Sequence, residues 1–114
     1  MNIGKNDEVI TTPYTFIATI GAIVTVGAKP VFVDIKNDYN INENKIESVM
    51  TKKTKAIIPV HWAGRSCELD KLSFIAKKHK LKIIQDCCHA IDSRFKKKHL
   101  ISYGDICTYS MHPL

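Results

Sequence analysis

The sequence predicts an α/β fold in which a mostly parallel sheet carries helices on both faces. Short apolar runs alternate along the chain with stretches of helical periodicity, and turn residues separate them. The apolar runs are continuous rather than alternating, which is typical of strands buried on both faces. Hydrophobic residues make up 45% of the 114 residues and charged residues 25%, as is ordinary for one globular domain.

The first half of the chain contains two strands and two helices. Its apolar runs predict strands at residues 8–11 and 31–34, and its periodicity predicts helices at 15–26 and 43–50. Thr15 and Asn42 have side chains suited to cap these helices, and Gly27 is suited to end the first one. The first helix is apolar on most sides, so we expect it to be buried.

The second half repeats the pattern. Its apolar runs and periodicity predict strands at residues 56–60, 81–85 and 106–110, and a helix at 68–80. The helix carries leucine, isoleucine and alanine on one face and lysines on the other. A basic loop, with Gly104 as a turn residue, is expected before the last strand.

The net charge of +6 comes mainly from three lysine-rich clusters, at residues 52–55, 77–82 and 94–98. A nucleic-acid site would combine such clusters with aromatic residues on one face. Here the clusters lie at element ends and in the loop, with few aromatics nearby. A solvated surface with some attraction for anions is therefore favoured over a nucleic-acid site.

The cysteines and the long uncharged segment do not predict a zinc site, a disulfide framework or a membrane span. The four cysteines lack the paired spacing of zinc ligands, and the sequence shows no signal-peptide pattern. We therefore expect reduced, structural thiols in a cytoplasmic protein. Residues 9–28 carry no charge, but Pro13, Gly21, Gly27 and five threonines interrupt them, which favours a strand, a turn and a buried helix.

The stretch IIQDCCHAID, residues 83–92, places Asp86 and His89 at the carboxyl end of a predicted central strand. Ligands of open α/β sheets bind outside the carboxyl ends of the strands. Asp86 could cap the next turn or pair with a cation, or it could bind Mg²⁺ together with Asp34 from another strand end. It could also hold the protonated pyridine nitrogen of pyridoxal phosphate. These residues alone leave the three readings open.

Three segments, in order and in one register, carry a resemblance to a known family. They are GKNDEVITTPYTFIATIGAIVTVGAKPVFVDI, TKKTKAIIPVHWAG and IIQDCCHAIDSRFKKKHLISYGDICTYSMHP. They resemble GDEVI-P-TF-AT-AI---GA-PVFVD, T-KTKAIIPVH--G and VIEDAAHA-GA-YKGK--GS-GDI--FSFHP of the DegT/DnrJ/StrS family of sugar aminotransferases. These are pyridoxal-phosphate enzymes of the aspartate-aminotransferase fold type (fold type I). The resemblance implies that residues 1–114 form part of the cofactor-binding large domain, incomplete at both ends.

The resemblance also implies a cofactor site. Asp86 matches the acid that pairs with the pyridine nitrogen, where a negative charge keeps the ring protonated and able to accept electrons. His89 matches a His or Gln near the cofactor's phenolic oxygen, and Phe16 matches the aromatic residue that stacks on the ring. Ser110 matches the serine that binds the phosphate. The candidates for a supporting role are His112 and His61.

The chain departs from the family pattern in several places. Cys87 and Cys88 replace two alanines, and since cysteine is small and apolar we interpret them as packing residues rather than nucleophiles. Gln85 replaces a glutamate, and its side chain is expected to point away from Asp86. The Schiff-base lysine is expected just after Leu114, so no catalytic residue is assigned within the chain. The lysines of the basic loop do not replace it, and we expect the chain alone to be inactive.

The function implied is transfer of an amino group, typically from glutamate, to a nucleotide-linked keto-sugar. Such amino sugars enter surface polysaccharides or antibiotics, and the family acts as a homodimer. Two alternatives stay open. Some relatives have histidine in place of the Schiff-base lysine and dehydrate sugars. The fold could also serve a non-catalytic binding module, although Asp86 and Ser110 together argue against that.

Overall fold

The chain folds around a five-stranded sheet in which every strand runs parallel to its neighbours, as the continuous apolar runs predicted. The computed structural model describes residues 1–112. The strands of the sheet are β1 (Glu8–Thr11), β2 (Lys29–Phe32), β3 (Thr54–Ile57), β4 (Lys82–Asp86) and β7 (Ile106–Thr108). Their order is β2-β1-β3-β4-β7, which makes β2 and β7 the edge strands. A separate antiparallel hairpin consists of β5 (Arg94–Phe95) and β6 (Lys98–His99).

The helices lie on both faces of the sheet. They are α1 (Ile17–Thr25), α2 (Ile46–Val49) and α3 (Leu69–His79), with short 3₁₀ helices at Glu43–Lys45, Trp62–Gly64 and Leu100–Ser102. Alternate residues of each strand point to opposite faces, so neighbours such as Val9 and Ile10 enter different cores. Val9 packs with Ile23 of α1, whereas Ile10 belongs to the larger core that contains Leu72 of α3.

Helix α1 ends as predicted but begins differently. Gly27 has a positive φ of 81°, and the amide of Ala28 donates to the carbonyl of Ile23, which is the pattern that closes many helices at glycine. The N-cap is Phe16, and it makes no side-chain capping bond. The prediction that Thr15 caps the helix is wrong, because its hydroxyl pairs with the hydroxyl of Thr19 one turn later.

Strand β2 begins two residues earlier than the predicted strand at 31–34, and it includes Pro30. Proline has no amide hydrogen, so it is tolerated only where no neighbouring strand needs that donor. Strand β2 is an edge strand paired on one side with β1, which explains why Pro30 is accommodated.

The segment predicted as a basic loop contains the β5–β6 hairpin instead. Its two turn residues, Lys96 and Lys97, have φ values of 46° and 66°. Tight two-residue hairpin turns require positive φ at both positions and usually contain glycine or asparagine there. Residue preferences therefore do not predict a tight turn at these two lysines. Phe95 nevertheless packs against the larger core and holds the hairpin to the α3 side of the sheet.

Among residues 1–112, no helix has both the length and the apolar character needed to cross a membrane. Most of the uncharged stretch at residues 9–28 is divided between β1 and the nine-residue helix α1.

Candidate active site

Asp86 ends β4, and its backbone is fixed from both neighbouring strands. Its amide donates to the carbonyl of Pro59 at 2.9 Å, and its carbonyl accepts from the amide of His61 at 3.1 Å. On the other side it pairs in register with Thr108 of β7. The side chain is half-buried at the carboxyl edge of the sheet. The structure therefore gives this acid a rigid backbone and partial access to solvent.

Both carboxylate oxygens of Asp86 accept a hydrogen bond. The hydroxyl of Thr19 donates to Oδ2 at 2.8 Å, and the amide of Cys88 donates to Oδ1 at 3.1 Å. Thr19 comes from α1, which crosses this face of the sheet, and its hydroxyl also lies 2.8 Å from that of Thr15. These contacts fix the orientation of the carboxylate while leaving further lone pairs for a ligand.

Phe16 lies at the start of α1, one helical turn before Thr19. Its side chain is 73% exposed, and Ile17 and Val24 of the same helix are also exposed, so the expectation that α1 is buried is wrong for most of its surface. Because Thr19 contacts Asp86, the exposed ring of Phe16 belongs to the same edge of the sheet as the carboxylate. An exposed aromatic ring close to a half-buried acid can cover one face of a flat ring-shaped ligand.

His89 lies three residues beyond Asp86 and is exposed. Its ring meets the ring of Trp62 edge to face, with centroids 5.1 Å apart. Trp62 contacts Tyr14 at 4.5 Å, and Tyr14 in turn stacks on Tyr39 at 5.4 Å. The backbone of Trp62 is held by Asn40, whose side-chain oxygen accepts from its amide at 2.9 Å. A row of four rings therefore extends along this edge and supports His89.

Ser110 follows β7 by two residues, so it lies on the same edge as Asp86, the register partner of Thr108. It is half-buried, and its hydroxyl oxygen accepts from the amide of His112 at 3.1 Å. Pro113 and Leu114 lie outside the described residues. Ser110 is placed where its hydroxyl could meet an anionic group.

His61 differs from the other candidates because it is fully buried. Its Nδ1 accepts from the amide of Cys67 at 3.0 Å, so that nitrogen carries no hydrogen and Nε2 donates to Oε1 of Gln85 at 3.0 Å. Burial lowers the pKa of His61, which favours this neutral form. The imidazole lies in the interior, where its Nε2 contacts Gln85.

Gln85 is a residue whose role the sequence analysis missed. Its side chain points away from Asp86, as expected, and is fully buried. Besides accepting from His61, it donates through Nε2 to the carbonyls of Leu100 and Tyr103. The amide therefore connects β4 to the loop that leads into β7 and Ser110. The signal in the sequence was the replacement of glutamate by glutamine. A side chain that binds two carbonyls must donate hydrogen bonds, which an ionised carboxylate cannot do.

Thr19 was also missed, although it lies within the TFIAT segment that carries part of the resemblance. A threonine in an apolar helix gives no signal of its own, since its methyl group packs like that of valine. Only the crossing of α1 over the end of β4 reveals that its hydroxyl meets a residue 67 positions away.

The thiols near the edge are protonated at neutral pH. Burial raises the pKa of Cys87 strongly, and burial together with Asp86 raises that of Cys88 to about 11. Cys67, which is buried elsewhere, has a pKa raised by burial to about 12. A thiol in this state is a poor nucleophile.

Asp34 follows the edge strand β2, and two strands separate it from Asp86 in the sheet. Its carboxylate is 66% exposed and pairs with Lys45 at 3.2 Å. Within the described residues, no three His, Cys, Asp or Glu side chains are grouped to hold a metal ion.

The residues at the edge fit pyridoxal phosphate in chemical type. A carboxylate with fixed orientation can accept from a protonated ring nitrogen, and an exposed aromatic ring can pack on the ring face. Ser110 supplies a hydroxyl for a phosphate, and His89 supplies an imidazole three residues beyond the acid. All four follow or adjoin carboxyl ends of parallel strands, where ligands of such sheets bind.

Comparison with known proteins places the whole chain in one group. The profile of the DegT/DnrJ/EryC1/StrS aminotransferase family matches residues 1–114. The chain is 50% identical over 113 residues to an uncharacterized protein of Methanocaldococcus jannaschii, covering 98% of this chain and 29% of that protein. It is 41% identical over 111 residues to the spore coat polysaccharide biosynthesis protein SpsC of Bacillus subtilis, covering 96% and 28%.

Solved structures agree. An aminotransferase from Psychrobacter cryohalolentis superimposes with a TM-score of 0.92 at 43% identity, covering 95% of this chain and 28% of that one. A protein of Streptococcus pneumoniae described as a sugar aminotransferase, solved in its PLP form, gives 0.92 at 32% identity, covering 96% and 32%. The chain thus spans less than a third of the length of these relatives.

Proposed function

The chain belongs to the DegT/DnrJ/EryC1/StrS aminotransferase family, and we propose that it forms part of the cofactor-binding domain of a sugar aminotransferase. The family depends on pyridoxal phosphate, and the sheet is that of its fold type I members. The observation that carries the proposal is Asp86, a half-buried carboxylate held through both oxygens at the carboxyl edge.

The substrate that we propose is a keto-sugar linked to a nucleotide, with glutamate as the amino donor. The product would enter surface polysaccharide or amino-sugar synthesis in the cytoplasm. The similarity to a spore coat polysaccharide biosynthesis protein supports this choice of pathway class. We also propose that the full-length enzyme is a homodimer. We expect the 114-residue chain alone to lack transfer activity.

Each residue of the edge has a distinct task in this proposal. Pyridoxal phosphate, when bound, supplies an electron sink for the carbon that loses its proton. Asp86 keeps the proton on the ring nitrogen, and Phe16 packs on the ring and excludes water from that face. Ser110 donates its hydroxyl to the phosphate. His89, supported by Trp62, contributes a hydrogen bond near the phenolic oxygen.

The experiment that tests this function uses the full-length protein that contains the chain. Pyridoxal phosphate is added, absorbance is recorded, and borohydride and glutamate are tested separately. The proposal predicts a visible band that borohydride removes and that glutamate converts to an amine form of the cofactor. Binding without any change on borohydride treatment would favour the dehydratase, in which histidine follows the motif. Absence of binding would favour a non-catalytic module.

A further inference from the structure

One hydroxyl group in the core of the molecule has no role in the helix that carries it. Thr19 is one of the two buried residues of α1, and it is 7% exposed. A threonine in a helix commonly bonds the backbone carbonyl three or four residues earlier. Here the hydroxyl lies 2.8 Å from the hydroxyl of Thr15 and 2.8 Å from Oδ2 of Asp86.

The proton positions in this chain of groups follow from the ionised carboxylate, which can only accept. The hydrogen of the Thr19 hydroxyl must therefore point at Asp86. Its single hydrogen is then used, so Thr15 must donate its own hydrogen to Oγ1 of Thr19. The result is a directed relay from Thr15 through Thr19 to the acid.

The relay acts on a side-chain torsion of Asp86 that its backbone hydrogen bonds do not fix. Hydrogen bonds to Pro59 and His61, just beyond β3, hold the main chain of Asp86, and the amide of Cys87 donates to Thr108 of β7. The carboxylate can still rotate about its last torsion, which is broad. The amide of Cys88 restrains Oδ1 and Thr19 restrains Oδ2, on opposite sides of the group. A hydrogen bond to a ring nitrogen is directional, so its strength depends on this orientation.

We propose that Thr19 is a positioning residue of the cofactor site, with Thr15 as its support. Its hydroxyl holds the carboxylate of Asp86 in the orientation that accepts from the ring nitrogen of pyridoxal phosphate. This inference rests on the function proposed above, and it assigns to α1 a role beyond packing.

The test compares Thr19→Val, Thr19→Ser and Thr11→Val in the full-length protein. Valine keeps the shape of threonine and removes only the hydroxyl, whereas serine keeps the hydroxyl. Thr11 is the matched control: it is buried on β1, and its hydroxyl donates to the carbonyl of Ile58 at 2.9 Å rather than to Asp86. The dissociation constant of pyridoxal phosphate and the melting temperature are measured for each, together with the pH at which the bound chromophore loses its ring proton.

We expect Thr19→Val to weaken pyridoxal phosphate binding about tenfold, the effect of one charge-assisted hydrogen bond. The ring nitrogen should also lose its proton at lower pH, because the carboxylate is less well aligned. Thr19→Ser should restore both values. Thr11→Val should lower the melting temperature and leave both values unchanged, which separates positioning from general stability.

Unchanged affinity and an unchanged ring-proton pH in Thr19→Val would overturn the inference while the proposed function stands. If the wild-type protein does not bind pyridoxal phosphate, the proposed function fails and this inference fails with it. Should Thr19→Val not fold, Thr15→Ala provides the second test. Thr15 is half-buried and accessible to change, and its loss should shift both values in the same direction by a smaller factor.

Discussion

Gln85 and Asp86 are neighbours on β4, yet their side chains end in opposite kinds of environment. Gln85 is fully buried on the α3 side, where His61 and two backbone carbonyls use its hydrogen-bonding groups. Asp86 points to the α1 side and remains half-exposed, with one donor on each oxygen. Gln85 completes an internal hydrogen-bond network. Asp86 is oriented by its hydrogen bonds and can still bind a ligand.

The difference follows from the alternation of strand side chains at the end of a buried strand. On the α3 face, the loop at residues 100–103 covers the end of β4, and its carbonyls accept hydrogen bonds from the buried Gln85. On the α1 face, the helix supplies one hydroxyl and does not cover the carboxylate. Substitutions on the two faces should therefore affect different properties: stability on one side, cofactor binding on the other.

The largest effect is expected from Asp86→Ala. Loss of the charge at the ring nitrogen should reduce kcat/KM of the full-length enzyme on the order of 10³-fold, the size found when a preorganised electrostatic partner is removed. Asp34→Ala is the matched control, since Asp34 also follows a strand but is exposed, and two strands lie between its strand and β4. Steady-state kinetics on both variants provide the measurement. Equal losses of kcat/KM in the two variants would contradict the special role assigned to Asp86.

Gln85→Leu should act on stability instead. The substitution removes the partner of the Nε2–H of His61 and of the carbonyl of Tyr103, whereas the carbonyl of Leu100 keeps the amide of Tyr103. This loss should lower the free energy of unfolding by about 2–3 kcal/mol. Urea denaturation of the full-length protein measures this change. Cofactor affinity in the folded fraction should remain within about twofold of wild type, since the Gln85 amide lies on the opposite face of the sheet from the Asp86 carboxylate. A large loss of affinity at unchanged stability would contradict the separation of the two faces.

Cys87 and Cys88 continue the same alternation and provide a chemical probe of it. With its pKa raised to about 11 by burial and by Asp86, Cys88 should react with iodoacetamide at pH 7 about 10²-fold more slowly than a free thiol. The rate should rise with pH up to about 11, because the thiolate forms only there. Peptide-resolved mass spectrometry after timed alkylation gives the rates. Asp86→Asn should accelerate the alkylation of Cys88. An unchanged rate in that variant would argue against the contact between Cys88 and Asp86.

The smallest effect is expected at the turn of the β5–β6 hairpin. Lys97 adopts a φ of 66°, and the family pattern has glycine at this position. Lys97→Gly should raise the free energy of unfolding by about 0.5–1 kcal/mol, because glycine relieves the left-handed strain but loses more entropy on folding. Lys98→Gly, in β6, should be destabilising by a similar amount. Denaturation curves for both variants test these changes. The affinity for pyridoxal phosphate is expected to be unchanged in each variant.

The sequence was sufficient for the sheet and for the position of Asp86 at the carboxyl end of a central strand, because both depend on local pattern and on order along the chain. Continuous apolar runs defined the parallel strands, and Gly27 marked the end of α1. The relay from Thr15 and Thr19 could not be read in the same way, since it depends on where a helix crosses a strand 67 residues away. The hairpin was missed because Lys96 and Lys97 occupy a conformation that residue preferences assign to glycine or asparagine.

The central claim is that Asp86 holds a proton on the pyridine nitrogen of the cofactor. The most direct test is the ¹⁵N chemical shift of that nitrogen in full-length protein reconstituted with ¹⁵N-labelled pyridoxal phosphate, compared with Asp86→Asn. A protonated nitrogen in the wild type and an unprotonated one in the variant is the predicted result. The same chemical shift in both proteins would show that the ring is controlled by another group, and Asp86 would then be a structural acid like its neighbour Gln85.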